Sequence, residues 1–163
     1  MKNENQNNQH ATMEHGKPYR KFLLMLAISF ILMYGIMFLN VDEANHIYLS
    51  ITRAYMSILM VSAMAVVMLP MMGKMYLNKR LNKIILASAV VVFIAVLTFL
   101  RQQIFVGDIQ YMKGMIPHHS SAIMTSKNAN IKDPEVKKLS EQIIKSQEEE
   151  IAQMKAKLKE LEK

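Results

Sequence analysis

Apolar positions in this chain follow two rhythms. Residues 22–39, 50–72 and 84–100 form nearly unbroken apolar runs, each close to the roughly 17–25 residues that carry a helix across a bilayer. After Arg101 the runs give way to helical alternation: Ile144, Gln147, Ile151, Met154, Leu158 and Leu161 recur at steps of three and four. That is the spacing of a bundle or coiled-coil seam. The pattern predicts an all-α chain, with three transmembrane helices at about 22–39, 50–72 and 84–100, followed by an α-helical hairpin over 104–163. Arg53 and Pro70 lie near the two ends of the middle run, where a long side chain can reach the interface and a helix break costs least.

Local signals divide the tail into two helices. The first starts near Asp108, read as an N-cap, and runs to about Asn128. Asp133-Pro134-Glu135 opens the second with a capping residue, a proline at the first helical position and an acid in the first turn. Residues 128–132 form the turn between them.

Charge adds an orientation. Lys17, Arg20 and Lys21 precede the first run, and Lys74, Lys79, Arg80 and Lys83 lie between the second and third, whereas 40–47 carries only Asp42 and Glu43. The positive-inside rule puts the N-terminus in the cytoplasm and, after three crossings, the tail on the outside. The expected location is a bacterial cytoplasmic (inner) membrane, with the C-terminal domain periplasmic or extracellular. The first run begins some twenty residues in and lacks a cleavage site, which favours a retained anchor over a signal peptide. The net charge of +7 does not suggest nucleic-acid binding, because the basic residues cluster beside the spans. From Arg101 onward eleven Lys/Arg face nine Asp/Glu. Residues 1–21 read as a disordered cytoplasmic segment; His10, Met13 and His15 within it are assigned no site.

Candidate chemistry sits at the start of the hairpin. Asp108-Ile109-Gln110-Tyr111-Met112-Lys113-Gly114-Met115-Ile116-Pro117-His118-His119 gathers two thioethers, two imidazoles and a carboxylate. A mixed Met/His set favours copper or silver over magnesium or calcium, and the absence of cysteine removes thiolates from consideration. Asp108, Met112, Met115, His119 and Ala122 recur at steps of four and three, so the predicted seam of this helix is built partly of ligands. Met115 can share an ion with His119 or His118, whereas adjacent His118 and His119 diverge by about 100°. A kink at Pro117 could turn both rings to one side. Met154 is the candidate ligand across the hairpin, with Gln147 and Glu150 as polar supporting residues.

Asp108, Tyr111-Met112, Met115-Ile116-Pro117-His118-His119 and Ala122-Ile123, followed by Ile143-Ile144, Gln147, Glu150-Ile151 and Met154, closely resemble the family called domain of unknown function 305. The resemblance covers residues 106–161. It implies an exported, helical, ferritin-like domain that binds copper, Cu(I) first and Ag(I) as an alternative. Its ligands would be drawn from Met112, Met115, His118, His119 and Met154, with Asp108 in support. Where many members carry a methionine six residues after the second histidine, this chain has Thr125, and the neighbouring Met124 points away from the His119 face. Larger relatives carry two His-His motifs in one four-helix unit. A single hairpin is therefore expected to pair with a second copy, giving a homo-oligomer.

Other readings are weaker. Met56, Met60, Met64 and Met68 climb the middle run at steps of four, yet they wind around the helix and read as packing rather than a conduit. Glu43-Ala44-Asn45-His46 is the one Glu-x-x-His spacing, and it stands alone in a short outer loop, as chance would place it. Nucleophile, phosphate-loop and dinucleotide motifs are absent, so no enzyme is expected. The sequence therefore predicts a membrane-anchored protein that sequesters copper, confers tolerance or hands the metal over at the outer face of the membrane, with a copper donor or acceptor protein as a candidate partner. The alternative is a structural anchor that presents a hairpin for oligomerisation or partner binding.

Overall fold

The computed structural model describes residues 18–73 and 75–163. The expected disorder of the N-terminal segment falls largely outside them. Element order is α1 (Lys2–Ile36), a short 3-10 turn (Ala44–His46), α2 (Ile51–Met71), α3 (Lys79–Gln102), α4 (Asp108–Asn128) and α5 (Pro134–Leu161). Every described element is helical, as the apolar rhythms predict. Pro18–Ile36, Ile51–Met71 and Lys79–Gln102 are long and apolar enough to cross a membrane.

The chain divides into two compact units. One holds residues 1–33 and 55–101; the other joins 34–54 to 102–163.

In the first unit, Tyr19, Phe22, Ala65, Leu69, Tyr76 and Ala89 form the interior. Tyr76 meets Tyr19 and Phe22 at ring-centroid distances of 5.1 and 5.6 Å. The Tyr19 hydroxyl donates to Asn82 Oδ1 at 2.7 Å and accepts from the Asn78 N–H at 3.2 Å, which gives this buried phenol a polar outlet. Ser62 and Thr98 return their hydroxyls to the carbonyls of Ile58 and Ile94 at 2.7 and 3.0 Å. An apolar span can carry a hydroxyl in this way without an unsatisfied donor.

The second unit is the hairpin plus the loop between the first two spans. Asp133 caps α5 as expected, accepting from the N–H groups of Glu135 and Val136 at 2.9 Å each. At the start of α4 the cap is Gly107, and Asp108 is the first helical residue, with no side-chain cap bond at this end. Asp108 therefore acts on this helix through its charge beside the positive end of the dipole. The interior consists of Met112, Ile116, Ile123, Ile151 and Leu158, with Tyr48, Ile109, Ile144 and Met154 packed against it. The seam of α5 runs as predicted through Ile144, Ile151, Met154 and Leu158, although Leu161 at its end is exposed. On α4 the buried row is rotated one residue from the predicted one. Ile116 and Ile123 are fully buried, while Met115 and Ala122 are only partly covered. Branched aliphatic side chains fill the closed interior better than the smaller Ala or the flexible Met, at roughly 1.5–3 kcal/mol per large side chain buried.

Arg53 lies in this unit, at the first turn of α2. Its guanidinium donates to the Met37 carbonyl and stacks 4.4 Å from the Phe38 ring. A charge at the edge of a span is thus turned back onto the open carbonyl end of α1, which needs a donor.

Candidate metal centre

Helix α4 sorts the candidate ligands by face. Met112 and His119, two turns apart, both point into the hairpin interior and are buried, with His119 only 8% exposed. Met154 packs against the same interior from α5. Met115 and Gln147 are half-buried, and Asp108 and His118 are exposed. The helix continues through Pro117, and the proline does not gather the two imidazoles. Their centroids are 5.9 Å apart, with the planes at 61°. The buried ring and the exposed ring therefore face different surroundings, as adjacent helical positions require.

His119 carries the electrostatic oddity of the unit. Its Nδ1 lies 3.1 Å from Glu150 Oε2, near enough for an ion pair. The two groups are nevertheless misaligned for a hydrogen bond, and the buried nitrogen makes none. Burial lowers the pKa of this imidazole, opposed by Glu150 and reinforced by His118. The ring is therefore neutral at neutral pH, the state in which imidazole binds a metal. A buried ring nitrogen without a settled partner is uncommon, and a carboxylate in contact with one nitrogen leaves the other free to serve as ligand.

Two features of this centre were not read from the sequence. Ser120, next to His119, is completely buried and is gripped from outside the hairpin. It accepts from the Asp42 N–H at 2.8 Å and meets His46 Nδ1 at 2.9 Å. His46 is itself 7% exposed, and its Nε2 lies 3.8 Å from Glu43 Oε2. The Glu-x-x-His spacing was visible, but its partner on α4 was not. A cavity of about 240 Å³ lies beside this contact, lined in part by Glu43, His46, Glu148 and Lys155. Charges of both signs line it. Among the described residues, no three His, Cys, Asp or Glu side chains converge as a metal-holding group; a thioether and imidazole set is a different kind of site.

The family model described as domain of unknown function (DUF305) matches residues 94–162. An uncharacterized protein, L153, of Acanthamoeba polyphaga mimivirus is 38% identical over 135 residues, covering 81% of this chain and 87% of that protein. The chain belongs to the DUF305 family. An alignment of that length cannot be contained in 94–162, so the similarity to the viral protein extends from the family domain into the spanning region. No solved structure matches the chain.

Proposed function

We propose that this DUF305 protein is a membrane-anchored copper-binding protein that holds Cu(I), or Ag(I), for sequestration, tolerance or hand-over. The observation that carries the reading is the buried, neutral His119 ring, whose Nδ1 lies against Glu150 Oε2 at 3.1 Å without a hydrogen bond, on the same helix face as Met112, with Met154 opposite. Met112, His119 and Met154 would hold the ion, with Met115 at the edge of the set and Glu150 orienting the ring. Asp108 and Gln147 remain outside this inner group, and exposed His118 would serve entry or exit of the ion. A bound Cu(I) would supply a soft acceptor for thioethers and neutral imidazole. Burial suits that role, because it keeps water and protons from competing for the ligands.

The test is a competitive Cu(I) titration of the full chain in detergent against a chromophoric chelator. Tight binding that His119→Ala removes and His118→Ala only weakens is the expected result. Equal affinity in all three proteins would leave the second reading, an anchored interaction module. That reading draws on Val136, Leu139 and Ile143, which expose apolar surface at helical spacing on α5; pairing of two copies there would appear as a dimer mass in light scattering.

The proposed location is a bacterial cytoplasmic membrane with the hairpin outside. It rests on the basic residues flanking the first span and the second connection. The chain has no cysteine, so a single Glu149→Cys should react with an impermeant maleimide in intact cells if the hairpin is outside. Reaction only after lysis would reverse the orientation.

A further inference from the structure

The loop between the first two spans is more than a connector. The Asp42 N–H and His46 Nδ1 converge on one atom, the Oγ of Ser120, at 2.8 and 2.9 Å. The same loop places the Asn45 carboxamide oxygen 2.7 Å from Lys155 Nζ on α5. At its far end the Ile51 N–H donates to Gln110 Oε1 at 3.0 Å. Both helices of the hairpin are therefore held by a strap of about ten residues that belongs, in sequence, to the membrane region.

The chemistry at Ser120 is specific. A serine hydroxyl has one proton to give and two lone pairs. The Asp42 N–H can only donate, so it takes a lone pair. If the hydroxyl gives its proton to His46 Nδ1, the His46 proton sits on Nε2, the nitrogen facing the Glu43 carboxylate. Every polar atom in this buried knot then has a compatible neighbour. A fully buried hydroxyl fixed from two directions resists rotation of its helix about the axis, and residue 119 is adjacent on that helix. The strap therefore controls how far α4 turns, and with it whether the His119 ring faces Glu150.

We infer that His46 is a positioning residue for the metal centre: acting through Ser120, it sets the rotation of α4 that turns His119 into the hairpin interior against Glu150. This inference rests on the proposed copper reading for its affinity consequence, but not for its structural one.

The experiment has two readouts on the full chain in detergent, comparing wild type with His46→Ala, Ser120→Ala and His46→Asn. The asparagine keeps an acceptor where Nδ1 stood. In the metal-free proteins, side-chain nitrogen NMR of His119 reports the environment of its Nδ1. Cu(I) competition reports affinity. Loss of supporting residues around a metal-binding histidine typically costs about 10–100-fold in affinity. His46→Ala and Ser120→Ala are expected to shift the His119 nitrogen signal and to weaken Cu(I) binding by about tenfold each. Their combination should cost little more than either, and His46→Asn should restore most of both signals. Unchanged His119 signals in His46→Ala, in a protein of wild-type helicity, would overturn the inference whatever the copper result. If wild type binds no Cu(I), the copper reading fails, and the nitrogen signal alone decides the positioning role. Should His46→Ala unfold, His46→Leu, which keeps bulk but offers no acceptor, decides: a moved His119 signal with the fold intact upholds the role, and an unchanged one refutes it.

Discussion

The spanning helices and the hairpin bury their apolar side chains against different surroundings. Of the residues of α3 only Ala89 is buried within the chain, and Val91 and Ile94 are each more than half exposed. In α4, by contrast, Met112, Ile116, Pro117, His119, Ser120 and Ile123 are all buried within the chain. Outward apolar faces of this kind suit lipid tails, which accept any apolar side chain of suitable length. The interior of the hairpin is closed by its own helices and the strap, so each position there has one set of neighbours. Chemistry can be built only where neighbours are fixed, which is why the ligand candidates lie in the hairpin and the methionine row of α2 reads as packing.

Substitution should expose this contrast most clearly at fully buried aliphatic positions. Ile116→Ala should destabilise the second unit by about 2–5 kcal/mol. Ile94→Ala on α3 should change stability by no more than about 0.5 kcal/mol. Chemical unfolding in detergent, followed by far-ultraviolet circular dichroism, measures both; equal costs would erase the distinction between the regions. Ser120→Ala comes next, at about 1–3 kcal/mol, because it strands the half-buried Asp42 N–H and the buried His46 Nδ1.

Acid should sharpen the same contrast more gently. The pKa values of His119 and His46 are both lowered from 6.5, chiefly by burial; Lys155 also lowers that of His46, and Glu43 and Asp42 oppose it. Above 6.5 both rings are neutral whether folded or not, and stability is at its full value. As pH falls below 6.5 the unfolded chain takes up protons that the folded one resists, so stability declines until the folded values are passed. Melting of the second unit at pH 7.5 and 5.0 should show the loss, and His119→Gln should reduce it. A pH-independent melting temperature would contradict the assignment of buried neutral rings. The smallest effect is expected at Lys155→Ala, whose exposed bond to Asn45 should be worth no more than about 0.5 kcal/mol in the same unfolding assay.

The sequence showed clearly whatever depends on composition over a window. The three apolar helices fall where the apolar runs lie, and α3 extends to Lys79 and Gln102 because polar ends add turns at either side of an apolar run. The start of α5 was legible because a capping aspartate followed by proline acts locally. The rotation of α4 was not. Steps of three and four fit both the Met112–Met115–His119 row and the Met112–Ile116–His119–Ile123 row, and only packing against Ile151 and Leu158 selects the second. His118 and His119 were read together as ligands, yet one is exposed and one buried, since the two side chains leave the helix about 100° apart and here only His119 falls on the side that packs against α5. The grip of Asp42 and His46 on Ser120 spans more than seventy residues of sequence. Such a bond leaves no periodic trace in either partner.

The central claim is that the hairpin interior, and His119 above all, binds a soft metal. Competitive Cu(I) titration of the full chain beside His119→Ala, with His118→Ala as the exposed neighbour, tests it most directly. Wild type should bind tightly, with a loss of at least tenfold in affinity at His119 and a clearly smaller loss at His118. Absence of Cu(I) binding by wild type, or equal losses at the two histidines, would contradict it.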